Sequence, residues 1–292
     1  MELLGGGQMA WLGIDIGGTR IKAALMDGVS QVSCAASQTY NRPETDELFE
    51  CLGGVVSRLG LDGNPVQGVG LCVPGVRSGC GTYIEYAANV PGLMGVRFDA
   101  IVNALGLGDV PFFTTSDAAA ASLDAIKQLG LVGRVAVLSI GAGVGMAIFD
   151  DGKPVIHTDG GAGHIGQVDV SLGSDAPIGP DGGRGSLEAY IGASALLERY
   201  GTENFEPARA FETDSEPLRA LARAVRIIHA MCRPDVIVLV GGLGIRLRDT
   251  RLAELVEDQL TSLAKPGSQI VFGADDYHAA RGAAMVASIG LK

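Results

Sequence analysis

A chain of 292 residues, 47% apolar and 19% charged, has the length of roughly two domains, each large enough to bury a core without disulfides or metals. A formal charge of −11 argues against a broad nucleic-acid or anionic-membrane surface, which needs clustered Lys and Arg. Anionic small ligands stay open, because backbone N–H groups and a divalent ion hold phosphate in an acidic protein as well as in a basic one.

The 44 glycines fit a sheet-rich α/β protein with many tight turns. Five scattered cysteines without a C-x-x-C pair favour reduced thiols, read as small buried hydrophobes, in a reducing compartment. The stretch Met1 to Ala10 lacks the basic start and apolar core of a signal peptide. The most apolar long stretch, Val135 to Phe149, is broken by three glycines, so a cytoplasmic protein is expected.

In chain order, the pattern predicts a strand over Ala10–Ile16, a turn, a strand over Arg20–Asp27 and a third strand near Gln31–Thr39, together an antiparallel meander. Leu48, Leu52, Val55, Val56 and Leu59 recur at three- and four-residue steps and predict a helix over about Glu44–Leu59. A strand at Val66–Val73, a long Gly-rich loop, a short helix near Phe98–Leu105, a strand at Val110–Thr115 and an Ala-rich helix from about Asp117 follow. The second half restarts with strands at Arg134–Ile140 and Val144–Asp150. At a constant offset, Ile16, Gly17, Ala23, Asp27 and Gly28 match Ile140, Gly141, Ala147, Asp151 and Gly152, which suggests a duplicated lobe. Helices are expected near Ser186–Tyr200, Glu216–Met231, Thr250–Leu263 and Asp276–Ile289, with strands at Val236–Val240 and Gln269–Phe272.

Chemistry concentrates at the glycine turns. Asp15 ends an apolar strand and precedes Gly17, Gly18 and Thr19. Glycines let backbone N–H groups reach phosphate oxygens, the hydroxyl adds a donor, and Asp15 suits hydrated Mg²⁺; the same spacing also suits a plain Asp/Gly hairpin. Because it joins two strands, the turn is neither a Walker loop nor a dinucleotide fingerprint. Gly141 and Gly143 form a second turn able to face a polyphosphate. Gly241 and Gly242 follow the strand Val236–Val240, either as a strand-terminating turn or as a place where adenosine approaches the backbone.

Taken together, Asp15-Ile16-Gly17-Gly18-Thr19, Gly141-Ala142-Gly143-Val144-Gly145 and Val238-Leu239-Val240-Gly241-Gly242 resemble the phosphate-1, phosphate-2 and adenosine segments of the actin, hexokinase and heat-shock-chaperone ATPases. More specifically, the chain resembles the ROK family (repressors, open reading frames and sugar kinases) from about Leu12 to Gly290. Further matches come in family order: Val73-Pro74-Gly75, Ala88-Asn89-Val90-Pro91-Gly92, Ser116-Asp117-Ala118, Gly160-Gly161-Ala162-Gly163 and Leu187-Glu188-Ala189-Tyr190.

The resemblance implies a two-lobed ribonuclease-H-like (actin-like ATPase) α/β fold with an ATP cleft between the lobes. The N-terminal lobe would span residues 10–117, with helix 276–292 packing back on it, and the C-terminal lobe residues 118–275. Asp117 would be the base that deprotonates the acceptor hydroxyl, although a helix N-cap suits it on local sequence. Ser116, Asn89 and Glu188 would bind sugar hydroxyls; ATP and Mg²⁺ would be the cofactors, and a homodimer the assembly.

The chain departs from the family pattern after phosphate-2, where Ala-Gly-Glu-x-Gly-His becomes Ala162-Gly163-His164-Ile165-Gly166-Gln167. An imidazole replaces an acceptor carboxylate, so His164 and Gln167 imply a changed acceptor. The Cys-rich zinc segment reads Gly179-Pro180-Asp181-Gly182-Gly183-Arg184-Gly185-Ser186, and no structural zinc is expected. His157, His229 and His278 are read as surface or packing residues.

The resulting expectation is an ATP-dependent sugar kinase acting on a primary hydroxyl of a hexose or hexose-like acceptor. Alternatives are a cyclitol or amino-sugar kinase, a polyphosphate-using enzyme, or a catalytically weak sugar sensor without a DNA-binding domain. Neither nucleic acid nor membrane is expected as a partner.

Overall fold

The computed structural model describes residues 10–27, 30–61, 65–156, 163–180, 182–201, 206–262 and 269–290. The chain divides into two units, one running to Ala120 and resuming at Ala279, the other running from Ala121 to His278.

The first unit opens with the meander β1 (Ala10–Ile16), β2 (Ile21–Asp27) and β3 (Ser30–Ala36). Then come α1 (Thr45–Leu59), β4 (Val66–Cys72), a short ribbon of β5 (Val76–Arg77) and β6 (Ile84–Tyr86), α2 (Phe98–Ala104), β7 (Phe112–Thr115) and the first turn of α3 (Asp117–Leu129). The sheet order is β3-β2-β1-β4-β7, with β2 antiparallel to both β1 and β3, and β4 parallel to both β1 and β7. Helix α1 buries Leu48, Leu52, Val55 and Leu59 against this sheet, carries Asp46 and Glu47 in its first turn, and ends at left-handed Gly60. Each such side chain contributes about 1.5–3 kcal/mol by leaving water.

The second unit takes the rest of α3, then β8 (Arg134–Ile140), β9 (Val144–Asp150), β10 (Lys153–Pro154), α4 (Leu187–Ile191), α5 (Ala193–Tyr200), α6 (Pro207–Ala210) and α7 (Glu216–Cys232). It continues with β11 (Val236–Val240), α8 (Gly241–Arg246), α9 (Leu252–Asp258), β12 (Gln269–Phe272) and the start of α10 (His278–Ile289). Its sheet order, β10-β9-β8-β11-β12, repeats the first topology strand for strand: two antiparallel pairs, then two parallel ones. Ser215 caps α7 by accepting the Leu218 N–H at 3.3 Å, and Leu218, Leu221, Val225 and Ile228 enter the core of this unit.

Helix α10 lies directly on the first sheet. Gly13 and Gly70 are partners across β1 and β4. A Cβ on Gly13 would fall 1.9 Å from the Ala280 carbonyl oxygen, and one on Gly70 1.8 Å from that of Ala283. Only glycine admits the helix this closely.

Several sequence expectations need correction. The repeat has no constant offset: Ile16 pairs with Ile21 around a four-residue turn, whereas Ile140 pairs with Val144 around three, so β2 corresponds to β9 with a one-residue shift. The helix expected over Ser186–Tyr200 breaks at Gly192, whose extended backbone ends α4 and starts α5. That expected over Thr250–Leu263 is confined to Leu252–Asp258, with Leu263 outside the described residues. The third strand ends at Ala36, the last helix begins at His278, and the Gly-rich loop holds the β5–β6 ribbon. Gly241 and Gly242 begin a helix instead of closing a turn. Among the described residues no helix is long and apolar enough to cross a membrane.

Candidate active site

In the first unit the sheet register gathers the chemistry. Asp15 on β1 is the partner of Lys22 on β2 and of Cys72 on β4, and Cys72 is in turn the partner of Thr115 on β7. Partnered residues point to the same face of a sheet, so these four side chains form one row at the ends of β1, β4 and β7. Asp15 is 7% exposed and Cys72 fully buried. The Cys72 thiol is hydrogen-bonded to the Asp15 carboxylate, and its pKa is pushed well above the usual thiol value by burial first, then by the charges of Asp15 and Asp117. Arg77 acts in the opposite direction on that thiol, and its Nη1 donates to Thr114 Oγ1 at 3.0 Å. The register thus sets Asp15 beside a buried thiol that sequence reasoning had assigned to packing, and Asp117 follows two residues after Thr115 in the same row.

The turn after β1 is held from behind by Tyr40. The Gly17 N–H donates to the Arg20 carbonyl at 3.1 Å, the Tyr40 N–H to the Thr19 carbonyl at 2.8 Å, and the Tyr40 hydroxyl to the Gly17 carbonyl at 2.6 Å. Burial, with the Asp15 charge second, raises the Tyr40 phenol pKa, so the hydroxyl remains a donor. Gly17 and Gly18 are half-buried, and Thr19 is exposed.

Asp117 opens α3 half-buried, and Ser116 performs the capping: its Oγ accepts the Ala119 N–H at 3.3 Å, while Asp117 Oδ1 accepts the Ala118 N–H at 2.8 Å. Asn89 stands in a separate turn, closed by the Val90 N–H on the Ala87 carbonyl at 3.3 Å, just before the one-turn helix Pro91–Leu93.

In the second unit, Glu188 on α4 is the centre. Its Oε2 accepts the Val144 N–H at 2.8 Å, immediately after Gly141 and Gly143, whose turn is closed by the Gly141 N–H on the Gly143 carbonyl at 2.9 Å. Gly166 presses against the same pair: a Cβ there would sit 2.7 Å from the Val144 carbonyl oxygen and 3.0 Å from Glu188 Oε2. The one-turn helix Ile165–Gln167, preceded by exposed His164 and closed by the Gln167 N–H on the His164 carbonyl at 3.0 Å, is therefore packed on Glu188. The start of α5 fixes the glycine turn further, with the Ala193 N–H on the Gly141 carbonyl at 2.8 Å and the Ser194 N–H on that of Ala142 at 3.3 Å.

Gly241 has φ 84°, and a Cβ on it would lie 2.7 Å from the Ile140 carbonyl oxygen, so the second and third glycine groups are neighbours. Gly242 faces the Asp276 carboxylate. His157, Gly160, Gly161, Ala162 and Asp181 lie outside the described residues.

Two residues that frame the candidate site escaped the sequence reading. Cys72 had a signal in its place one strand over from Asp15, but strand register is not local information. Tyr40 had none beyond closing the β3-to-α1 connection.

An oxygen donor such as Asp15 suits Mg²⁺, which commonly takes one or two protein carboxylates and completes its shell with phosphates and waters. Among the described residues no group of three or more His, Cys, Asp or Glu could hold a metal by themselves.

The fold and this placement of glycine turns and carboxylates define an actin-like ATPase fold. Its similarity to the solved ROK family glucokinase from Streptomyces griseus, in complex with glucose and AMPPNP, has a TM-score of 0.76 at 19% identity, over 96% of this chain and 100% of that one. The chain belongs to the ROK family, whose model matches residues 11–288. It is 26% identical over 249 residues to the kanosamine kinase of Amycolatopsis mediterranei, covering 79% of this chain and 80% of that protein. To the N-acetylmannosamine kinase of Escherichia coli it is 27% identical over 252 residues, covering 81% and 84%.

Proposed function

We propose that this chain is an ATP-dependent sugar kinase that phosphorylates a hydroxyl of a hexose-like acceptor. The observation that carries this reading is the strand register that sets Asp15 in one row with Cys72 and Thr115, two residues before Asp117, beside a glycine turn fixed by Tyr40. The relatives named as sugar kinases support it, as does the AMPPNP complex of the Streptomyces glucokinase.

Asp117 takes the proton from the acceptor hydroxyl; that oxygen forms a bond to the γ-phosphorus as the bond to the ADP oxygen breaks. A positioned base of this kind contributes about 10²–10⁴ in rate. The Gly17 and Gly141 N–H groups close their own turns on the Arg20 and Gly143 carbonyls, so it is the backbone N–H groups of Gly18 and Gly143 that bind phosphate oxygens; Gly241 and Gly242 give adenosine room at the backbone, and Asp15 would hold Mg²⁺ directly or through water. Mg²⁺, when bound, supplies neutralisation of the charge on the transferring phosphoryl group. Asn89, Ser116, His164, Gln167 and Glu188 orient the acceptor. The residues standing in the family's zinc segment favour a fold without that metal. A homodimer in the cytoplasm completes the proposal.

A second reading, an amino-sugar acceptor, is favoured by the two named relatives and by His164, whose ring offers a donor and an acceptor where a carboxylate only accepts. The deciding experiment is an ATP-consumption screen over glucose, N-acetylmannosamine, kanosamine and cyclitols, with polyphosphate as an alternative donor and Asp117→Asn as control. Turnover confined to the amino sugars selects the second reading, and sugar binding without turnover on any acceptor overturns the kinase assignment.

A further inference from the structure

The geometry points to Cys72 as a positioning residue that holds Asp15 in its working orientation. This rests on the kinase reading above and deepens it. In the row Cys72 stands between Asp15 on one side and Thr115 on the other, and Asp117 follows Thr115 by two residues. The side chain is fully buried, with Ala120 and Ala283 as its apolar neighbours. Among these contacts its sulfur is the polar atom, and it meets the Asp15 carboxylate.

Two physical consequences follow. A hydrogen bond to a charged acceptor is roughly twice as strong as a neutral one, so the thiol restrains the Asp15 rotamer. Finally, Cys72 is shielded from solvent, so it acts as a fixed donor and takes no covalent part in the reaction.

The alternative, a cysteine that only fills space, makes an opposite prediction. For a space-filler between two alanines, Cys72→Ala is tolerated as well as Cys72→Ser or better, since burying a hydroxyl without need is costly. For a donor to Asp15 the order reverses. The experiment compares wild type, Cys72→Ala and Cys72→Ser by calorimetric titration of AMPPNP, with Mg²⁺ and with EDTA, together with kcat and KM for ATP.

The expected result is that Cys72→Ala weakens AMPPNP binding in Mg²⁺ about tenfold, with little change in EDTA, and lowers kcat about tenfold or more. Cys72→Ser should stay within about threefold of wild type on both measures. Thermal melting run alongside separates folding from function. Alanine equal to or better than serine in Mg²⁺ overturns the assignment of Cys72 while leaving the kinase reading intact. Wild-type protein that binds no AMPPNP under either condition overturns the kinase reading itself, and the assignment with it.

Discussion

The hydroxyl of Tyr40 donates to the carbonyl of Gly17 at 2.6 Å, while the Tyr40 backbone N–H donates to the carbonyl of Thr19 at 2.8 Å. One residue from the β3-to-α1 connection thus ties down both ends of the Gly17-Gly18-Thr19 turn. With its carbonyls engaged behind, the turn is set in one conformation before any ligand arrives, and preorganisation of this kind improves affinity by reducing the ordering cost of binding.

Replacing Tyr40 by Phe removes the side-chain half of that tie and leaves the carbonyl of half-buried Gly17 short of a donor. A stability loss of about 1–2 kcal/mol is expected, together with AMPPNP affinity reduced several-fold. Urea denaturation and calorimetry read the two effects separately, and a Phe variant with wild-type affinity would show that the turn orders itself.

At the start of α3 the division of labour between neighbours gives a paired prediction. Ser116→Ala should cost about 1 kcal/mol of stability through loss of the cap. Asp117→Asn should leave the melting temperature near wild type and reduce kcat by about 10²–10⁴. Should the Asn variant instead melt early while keeping its turnover, the two roles are exchanged.

Glu188 makes a similar test in the second unit. Glu188→Gln keeps an oxygen for the Val144 N–H and should hold stability while raising KM for the acceptor. Glu188→Ala removes the acceptor altogether and should destabilise by about 1–3 kcal/mol. Comparison of melting curves with acceptor KM distinguishes the structural share of this carboxylate from its binding share.

A pH dependence follows from the exposed Cys80, whose thiol pKa is lowered to about 7 by hydrogen bonds from Ser78 first and then Thr82. The thiolate is the reactive form, so carbamidomethylation of Cys80 by iodoacetamide should rise through pH 7 and level off above it. Ser78→Ala should move that midpoint upward. Cys72, buried in the folded protein, should stay unlabelled throughout. Peptide mass mapping across pH 5.5–8.5, ~0.5 apart, checks all three statements against the ionisation expected of a thiol.

Much of the fold was legible because its signals are local. The periodicity of Leu48, Leu52, Val55 and Leu59 defined α1, and short apolar runs bounded by glycine defined β1, β4, β8 and β11. The same locality explains the failures. The extended backbone of Gly192 breaks α4 from α5, and the carbonyl oxygens of Glu188 and Ala142, 2.8 and 3.0 Å from where a Cβ would stand, crowd the site in a way invisible from the sequence around it. The three-residue turn at Gly141–Gly143 and the four-residue turn at Gly17–Arg20 look alike until strand register is known. In the site, the glycine turns and Asp117 could be picked out from residue type and order. The donor role of Cys72 depends on the β1–β4 register, and the bracing by Tyr40 on a hydrogen bond spanning 23 residues.

The glycine floor beneath α10 has a consequence for how the chain is made. Gly13 and Gly70 are synthesised early, but Ala280 and Ala283, which cover them, emerge only after the whole of residues 121–278. At roughly 5–20 residues per second, the ribosome spends on the order of ten seconds or more on that interval. The second unit is continuous in sequence and is free to fold during this time, while the first sheet keeps one apolar face bare. A chaperone that shields β1 and β4 until α10 emerges would bridge that waiting period.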